Sequence, residues 1–333
     1  MSLPSIAPVG PSARASALGF GCSAIMGRVG RRASLAALTA AYDAGITFFD
    51  TARSYGYGES EALLGEFLRA RRDSVLLSTK FGILPTPTSP LKRALKPLAR
   101  TLLQLAPSAR QAMQRQLAAQ SSPGHFSVTT LHASLHASLR ALRTDYLDFL
   151  FLHEAPVSVL QQQDLLNALA QLVEAGKIRR VGIASQPEVI EAALAAGLPG
   201  LQSVQFPCNL FNLGIADRLA PAGSDILAIA NHPFGGAAGI TAGKALLASL
   251  ASAPEISTAL REKLRPADDA ALADVVLNAI TRDTGIQIVI PSMLRLDHLR
   301  ANLAAMERSR FSSEELRWLR SAITTNSMVK PRL

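Results

Sequence analysis

Apolar residues along the chain alternate between two patterns. Short runs rich in branched and aromatic residues predict strands, and longer stretches with apolar residues at helical spacing predict helices. The predicted strands are Leu18–Cys22, Thr47–Thr51, Val75–Phe81, Tyr146–His153, Ile178–Ser185, Ser203–Pro207, Ile226–Ala230 and Gln287–Pro291. The predicted helices are Ser34–Ala44, Ser60–Ala70, Thr129–Leu142, Leu160–Ala175, Pro187–Ala195 and Asp268–Thr284, with a weaker pattern at Gly214–Ala222 and a helix start at Ser312.

The regular alternation of strand and helix is typical of repeated βα units with a parallel sheet. Eight predicted strands with helices between them favour a closed (β/α)8 TIM barrel over an open, doubly wound sheet. A chain of 333 residues lies within the range where one such barrel forms one domain. We therefore expect a single barrel domain over residues 1–333.

A basic insertion at 84–125 interrupts the alternation after the third barrel strand. It exceeds an ordinary βα connection by roughly thirty residues. Prolines divide it, and Leu98–Leu105 and Ser108–Ala119 each fit a basic amphipathic helix. Since it follows a strand, it is expected at the C-terminal face of the barrel. It is interpreted either as a lid or pocket wall, or as a solvated insertion without a role in the site.

The formal charge of +9 is concentrated in one part of the sequence. Between Ser74 and Thr144 there is no Asp or Glu, and nine Lys and Arg residues are present. A strongly basic protein commonly binds nucleic acid or an anionic membrane. The window, however, has few aromatic residues that could stack on bases. We therefore expect neither nucleic acid nor membrane as a partner.

Cysteine content and hydropathy indicate the compartment. Two cysteines are too few for a disulfide framework. The apolar runs are too short to span a bilayer, and the N-terminus lacks the pattern of an export signal. A cytoplasmic protein is expected, and its oligomeric state is left open.

Four polar residues follow successive predicted strands. Asp50 ends the second strand and Tyr55 lies in the loop after it, while the next two strands end at Lys80 and His153. Each residue type alone is commonly structural, as a cap, a packing residue or a solvated charge. Four of them at successive C-terminal strand ends indicate a catalytic site, because a barrel places its catalytic groups there.

Together these residues suit the reduction of a carbonyl group. The reaction needs a proton donor for the nascent alkoxide, and a phenol is a weak acid unless its anion is stabilised. The ammonium of Lys80 favours the phenolate of Tyr55, and Asp50 can hold that ammonium charged and in place. His153 can donate to the carbonyl oxygen or orient it.

The chain resembles the aldo-keto reductase family in several motifs. The longest is Asp50-Thr51-Ala52-x-x-Tyr55-Gly56-x-Gly58-x-Ser60-Glu61-x-x-Leu64-Gly65, and the others are Ser78-Thr79-Lys80, Asp148-x-x-x-x-His153, Gln205 and Ile290-Pro291-Ser292 through Asn302. The resemblance implies a barrel that binds an extended nicotinamide dinucleotide without a Rossmann domain. It also implies that Tyr55 is the general acid, that Lys80 and Asp50 tune it, and that His153 orients the carbonyl.

The same resemblance implies a cofactor site with departures from the family pattern. Ala184 and Ser185 stand where the family usually has a Ser-Asn pair for the carboxamide, and either Phe206 or Phe211 is available to stack on the nicotinamide. Near the eighth strand, Arg295 is the first choice for a 2′-phosphate, because arginine pairs bidentately with phosphate. The other residues considered there are Ser292, His298 and Arg300.

The expected cofactor is NADP(H), with NAD(H) as the alternative. No metal site is expected. The full set of expected cofactor-binding residues is Asp50, Ser185, Gln205, Ser292, Arg295, His298 and Asn302.

Three functions are consistent with these features. The first is an oxidoreductase that reduces an aldehyde or ketone with NAD(P)H, or runs in reverse on a sugar or alcohol. The second is a cofactor-sensing regulatory subunit with slow turnover, which the altered carboxamide contacts would permit. The third is a binding protein that uses the basic insertion. The four site residues favour the first over the second, and the shortage of aromatic residues counts against the third.

Overall fold

A parallel sheet of eight strands forms the centre of the structure. The computed structural model describes residues 5–8, 14–85, 124–220, 225–254 and 256–326. Its strands are β1 (Ser5–Pro8), β2 (Arg14–Ser16), β3 (Phe20–Gly21), β4 (Phe48–Asp50), β5 (Leu76–Phe81), β6 (Leu147–His153), β7 (Ile178–Ala184), β8 (Leu201–Pro207), β9 (Leu227–Asn231) and β10 (Ile286–Ile290). Strands β3 to β10 pair in chain order, and β1 and β2 form a separate antiparallel pair.

The sheet closes between its first and last strands. Leu18 forms a parallel bridge with Val289, and the amide of Gly19 donates to the carbonyl oxygen of Val289 at 2.9 Å. This seam is tight, since a Cβ atom at Gly19 would lie 2.6 Å from the Cγ2 atom of Ile290. The predicted (β/α)8 barrel is thereby confirmed.

Helices follow the strands on the outside of the barrel. They are α1 (Arg31–Asp43), α2 (Ser60–Leu68), α3 (Val128–Leu142), α4 (Gln163–Glu174), α5 (Pro187–Ala195), α6 (Gly214–Leu219), α7 (Gly236–Ala251), α8 (Thr258–Leu264), α9 (Asp269–Thr281), α10 (Leu296–Glu307) and α11 (Ser313–Asn326). Short 3-10 turns lie at Cys22–Ala24, Tyr55–Gly58, Arg72–Ser74 and Val157–Gln161. Within the described ranges, none of the helices has the length and apolar character needed to cross a bilayer.

Helix α7 was not predicted, and its glycines explain why. Glycine is a poor helix former, so the stretch lacks a helical signal. In the structure these glycines permit close packing. A Cβ atom at Gly239 would lie 2.3 Å from the carbonyl oxygen of Phe234, and one at Gly243 would lie 2.8 Å from a methyl of Leu272 in α9. Tertiary contact therefore outweighs propensity here.

The barrel interior changes from apolar to polar toward the C-terminal strand ends. Successive side chains of a strand point to opposite faces. The interior is filled by a cluster of buried residues: Ala15, Phe48, Leu76, Phe149, Phe151, Ala184, Leu227, Ile229, Ile288 and Ile290. Counting onward by two from members of this cluster reaches Asp50, Lys80, His153 and Asn231. Polar groups are thus concentrated at one end of the barrel.

A buried carboxylate at Asp148 ties three strands together away from this end. It accepts from the amide of Leu77 at 2.9 Å and pairs with Arg72 and Arg179, each at 2.7 Å. Both guanidinium groups also contact the Tyr146 ring, with their Cζ atoms 3.9 and 4.2 Å from the ring centre. Hydrogen bonds to a charged group contribute more to stability than neutral ones.

Replacing Asp148 with asparagine should lower the free energy of unfolding by about 2 to 3 kcal/mol, because the amide carries donors where arginine and backbone donors already point. Denaturant unfolding measures the change. Asp145 lies exposed three residues earlier. The matched Asp145→Asn change should cost less than about 0.5 kcal/mol. Equal losses in both variants would contradict a special role for the Asp148 network.

Candidate active site

The structure brings Asp50, Tyr55, Lys80 and His153 together at one end of the barrel. Asp50 and His153 end β4 and β6, and Lys80 lies in β5 between them. Tyr55 begins the turn that follows β4. Asp50 and Lys80 are 3% and 2% exposed. The four residues therefore come from three neighbouring strands, as their positions in the sequence indicated.

The ammonium of Lys80 is fixed by oxygen atoms. It donates to both carboxylate oxygens of Asp50 at 2.6 Å and to the carbonyl oxygen of Thr51 at 3.0 Å. Asp50 also accepts a 2.7 Å bond from the hydroxyl of Ser78. Burial lowers the pKa of Lys80, but Asp50 and Tyr55 raise it more, and the net pKa lies above its ordinary value. Lys80 therefore stays charged.

Tyr55 lies next to this ammonium. The Nζ atom of Lys80 is 5.1 Å from the centre of the Tyr55 ring. Burial raises the pKa of Tyr55, and the charge and hydrogen bonding of Lys80 lower it only in part, so the net pKa is above its ordinary value. The expected effect of Lys80 is present, but desolvation outweighs it. The phenol keeps its proton at neutral pH.

His153 packs against Tyr55 as a neutral imidazole. The two rings are perpendicular, at 86°, with centroids 6.0 Å apart. Burial and the charge of Lys80 lower the pKa of His153 to about 3. A neutral imidazole carries one N–H donor and one acceptor. Two donors, the phenol and the imidazole, are therefore available at the same end of the barrel.

Glycine positions the turn that carries Tyr55. Gly56 has a φ of 60°, and a Cβ atom there would lie 2.7 Å from the carbonyl oxygen of Ile25. Tyr57 is also left-handed, with a φ of 62°, a conformation that costs energy for a residue other than glycine. Below the turn, the hydroxyls of Thr51 and Ser60 are 3.0 Å apart. These contacts account for the Thr, Gly and Ser positions of the longest motif.

The opposite wall contains two side-chain oxygen atoms that lack a hydrogen-bond partner among the described residues. The Oε1 atom of Gln205 and the Oδ1 atom of Asn231 are buried and accept no hydrogen bond from any described residue. Ser185 is buried too, but its hydroxyl donates to the carbonyl oxygen of Ala155 at 3.3 Å. Asn231 was missed from the sequence. The available signal was its place directly after an apolar strand, which it shares with Asp50.

Of the two aromatic residues proposed for stacking, Phe206 lies on the outer face of the sheet. Phe206 alternates with Gln205 along β8, and it belongs to the cluster between the sheet and the helices. Phe211 lies in the loop after β8 and packs against that same cluster. Neither ring belongs to the interior cluster.

The residues expected near the eighth barrel strand surround the start of α10. Ser292 is exposed, and Arg295 is exposed and paired with Asp297. The Nε2 atom of His298 is 3.8 Å from Asp269, and Asn302 is buried. No contact among the described residues joins this group to Tyr55. It forms a second region of the candidate site.

The basic insertion lies almost wholly outside the described residues, because 86–123 are not described. The lid hypothesis and the two expected helices fall in that range. The flanks of the insertion meet at the barrel: the amide of His125 donates to the carbonyl oxygen of Gly82 at 2.6 Å. The ring of Phe126 packs 5.6 Å from that of Phe81. The insertion therefore begins directly after β5, the strand that carries Lys80, and the chain returns to the end of that strand.

Fold and site together define the class of the protein. It is a (β/α)8 barrel with a buried tyrosine, lysine, aspartate and histidine at the C-terminal strand ends, where barrel enzymes place their catalytic groups.

Comparison with known proteins identifies the family. The model of the aldo/keto reductase family matches residues 17–324. The chain belongs to this family.

Among curated proteins, the chain is 28% identical over 231 residues to aldo-keto reductase YhdN of Bacillus subtilis, covering 68% of this chain and 59% of that protein. It is 30% identical over 181 residues to aryl-alcohol dehydrogenase GME11368 of Pestalotiopsis microspora, covering 53% of this chain and 40% of that protein. The chain thus spans about half the length of the curated relatives it matches.

Solved structures show the same fold. The aldo-keto reductase of Klebsiella pneumoniae in complex with NADPH has a TM-score of 0.59 and 24% identity, covering 93% of this chain and 92% of that one. Aldo-keto reductase AKR11C1 of Bacillus halodurans has a TM-score of 0.63 and 19% identity, covering 96% of each chain.

Proposed function

We propose that this protein is an NADP(H)-dependent oxidoreductase that reduces an aldehyde or ketone to an alcohol, or runs in reverse on a sugar or alcohol. The observation that carries the proposal is the buried contact between Lys80, Asp50 and the Tyr55 ring, with a neutral His153 beside it. A protonated acid, a fixed cation and a second donor are the groups that carbonyl reduction requires.

Each residue has a distinct role in this proposal. Tyr55 is the general acid: its hydroxyl bonds to the carbonyl oxygen and gives up its proton as negative charge develops there. Lys80 stabilises the phenolate that is left, and Asp50 holds Lys80 in position. His153 donates a second hydrogen bond from its neutral N–H to the same oxygen. A bound nicotinamide supplies the hydride.

The residues on the opposite wall fit a nicotinamide group. The unpartnered Oε1 atom of Gln205 offers an acceptor for a carboxamide N–H at the polar end of the barrel. Ser185 and Asp50 complete the expected contacts near the reacting ring. The proposed cofactor is also consistent with relatives: the aldo-keto reductase yakc of Schizosaccharomyces pombe is named with NADP(+), and the Klebsiella pneumoniae structure holds NADPH.

Arg295 is the proposed contact for the 2′-phosphate that distinguishes NADPH from NADH. In the described structure its guanidinium pairs with Asp297 at the surface. An exposed ion pair contributes little to stability, so exchange of the carboxylate for a phosphate costs little. Ser292, His298 and Asn302 lie in the same segment and make up the rest of this region.

A cofactor-dependence assay tests the function. The protein is mixed with NADPH or NADH and a panel of aldehydes, ketones and sugars, and the loss of reduced-cofactor absorbance is followed. The proposal predicts turnover of at least one carbonyl compound, with NADPH preferred over NADH. Binding of NADPH without turnover across the panel would favour the regulatory subunit instead. No binding of either dinucleotide would overturn the proposal.

The pH profile of reduction follows from the two pKa shifts. Reduction needs Tyr55 protonated, and its pKa lies above the ordinary value of 10.0. His153 gains a proton only near its pKa of about 3. We therefore expect kcat/KM to be flat from about pH 5 to about pH 9 and to fall at higher pH. A limb near the ordinary histidine pKa of about 6.5 that vanishes in His153→Asn would contradict the neutral imidazole.

A further inference from the structure

Asn231 is a partly buried residue whose side-chain oxygen has no structural role among the described contacts. It ends β9, and its side-chain oxygen is buried and accepts no hydrogen bond within the described ranges. A buried acceptor left unsatisfied costs stability, and native proteins keep few of them. The retention of such an atom at the polar end of the barrel points to a ligand that supplies the missing donor.

Gln205 provides a second acceptor of the same kind on the strand next to that of Asn231. Strands β8 and β9 are neighbours in the sheet, with Gln205 opposite Ile229 and Pro207 opposite Asn231. Alternation places both amide side chains on the interior face, two residues apart along the strand direction, or roughly 6.6 Å. The glutamine side chain is one carbon longer than that of asparagine. Its amide therefore reaches further from its strand into the barrel interior.

Two other residues described on this wall, Ala184 and Ser185, offer no buried side-chain oxygen that lacks a partner. Ala184 lies opposite Gln205 on β7 and is apolar. Ser185 uses its hydroxyl on the carbonyl oxygen of Ala155. Of the described residues on this wall, Gln205 and Asn231 have buried side-chain oxygens free to accept.

We propose that Asn231 is a second binding residue for the carboxamide of the nicotinamide, acting with Gln205. The inference rests on the proposed function. A primary carboxamide has two N–H donors, and the two unpartnered oxygens offer one acceptor for each. Asn231 would thereby supply a polar contact to the carboxamide on a wall where Ala184 offers none.

Two ligands and one substitution test this role. Asn231→Leu removes the acceptor with little change of shape. The dissociation constants of NADP+ and of 2′-phospho-ADP-ribose, which lacks the nicotinamide, are measured by calorimetry, with Gln205→Leu in parallel. We expect Asn231→Leu to weaken NADP+ binding about tenfold, the loss of about one hydrogen bond. Binding of 2′-phospho-ADP-ribose should be unchanged, and Gln205→Leu should behave in the same way.

Thermal unfolding without ligand separates a binding residue from a structural one. Since the Asn231 oxygen has no partner in the described structure, Asn231→Leu should leave the Tm unchanged or raise it. A lower Tm together with equal weakening of both ligands would show a structural role and overturn the proposal. Unchanged NADP+ binding in Asn231→Leu would also overturn it.

A smaller substitution covers the case in which leucine does not fit. Asn231→Ala removes the same acceptor without adding a branch, and the same selective loss of NADP+ binding is expected. If the unaltered protein bound neither NADP+ nor 2′-phospho-ADP-ribose measurably, the proposed function itself would fail. That outcome is distinct from a protein that binds NADP+ but is insensitive to Asn231.

Discussion

Replacing Tyr55 with phenylalanine is expected to reduce kcat for carbonyl reduction by about 10² to 10⁴-fold, because the change removes the proton donor and nothing else in the ring. The Tyr55 ring packs against His153 and lies 5.1 Å from the ammonium of Lys80, and phenylalanine preserves both contacts. Steady-state kinetics with a carbonyl substrate measures the loss. Cofactor affinity should stay within a few-fold of the unaltered protein.

Tyr42→Phe is the matched control for this variant. It removes the same oxygen atom from the outside of the barrel, where the hydroxyl of Tyr42 lies 2.9 Å from that of Ser74. We expect its kcat to be unchanged. Full activity in Tyr55→Phe would show that another group donates the proton, whatever the outcome at Tyr42.

Replacing Lys80 with methionine is expected to destabilise the fold by about 3 to 5 kcal/mol, because it leaves Asp50 charged, buried and without its cation. The carboxylate is almost fully enclosed and would retain only the bond from Ser78 among those described. Denaturant unfolding in the absence of ligand gives the change. Reduction should be lost as well, since the phenolate of Tyr55 would no longer be stabilised.

Two further variants separate burial from charge. Lys244 pairs with Asp269 at the same 2.6 Å distance, but the two side chains are 37% and 51% exposed. Lys244→Met should cost about 1 kcal/mol or less. In Asp50→Asn combined with Lys80→Met, most of the stability should return while activity stays lost. A loss in Lys80→Met no larger than that in Lys244→Met would show that the buried charge is accommodated by other means.

Much of the fold and the centre of the site could be predicted from the sequence. Most of the eight strands carry apolar runs because both of their faces are covered. Asp50 and His153 stand out as the polar residues that end such runs, and Lys80 lies one residue before the end of the strand between them. Their proximity follows from the common C-terminal edge of parallel strands. The family motifs added roles that the pattern alone does not give.

Other features depend on contacts between distant residues. Helix α7 was not predicted because its glycines weaken the helical pattern. Their role, which is to let Phe234 and Leu272 pack closely against the helix, is visible only in the structure. The side-chain oxygen of Asn231 has no partner because none of the described residues places a donor beside it, and the sequence does not show this. The pKa of Tyr55 depends on the balance between burial, which raises it, and the charge of Lys80, which lowers it. The extent of that burial cannot be read from the sequence.

The seam between β3 and β10 has a consequence for how the chain is made. Residues that pair across it, such as Leu18 and Val289, are far apart in the sequence. During synthesis, β3 therefore lacks its second neighbouring strand until β10 has left the ribosome, and the edge of β3 stays unpaired until then. Closure of so distant a pair is slow, and a chain that terminates before β10 would keep that edge exposed to association with other chains.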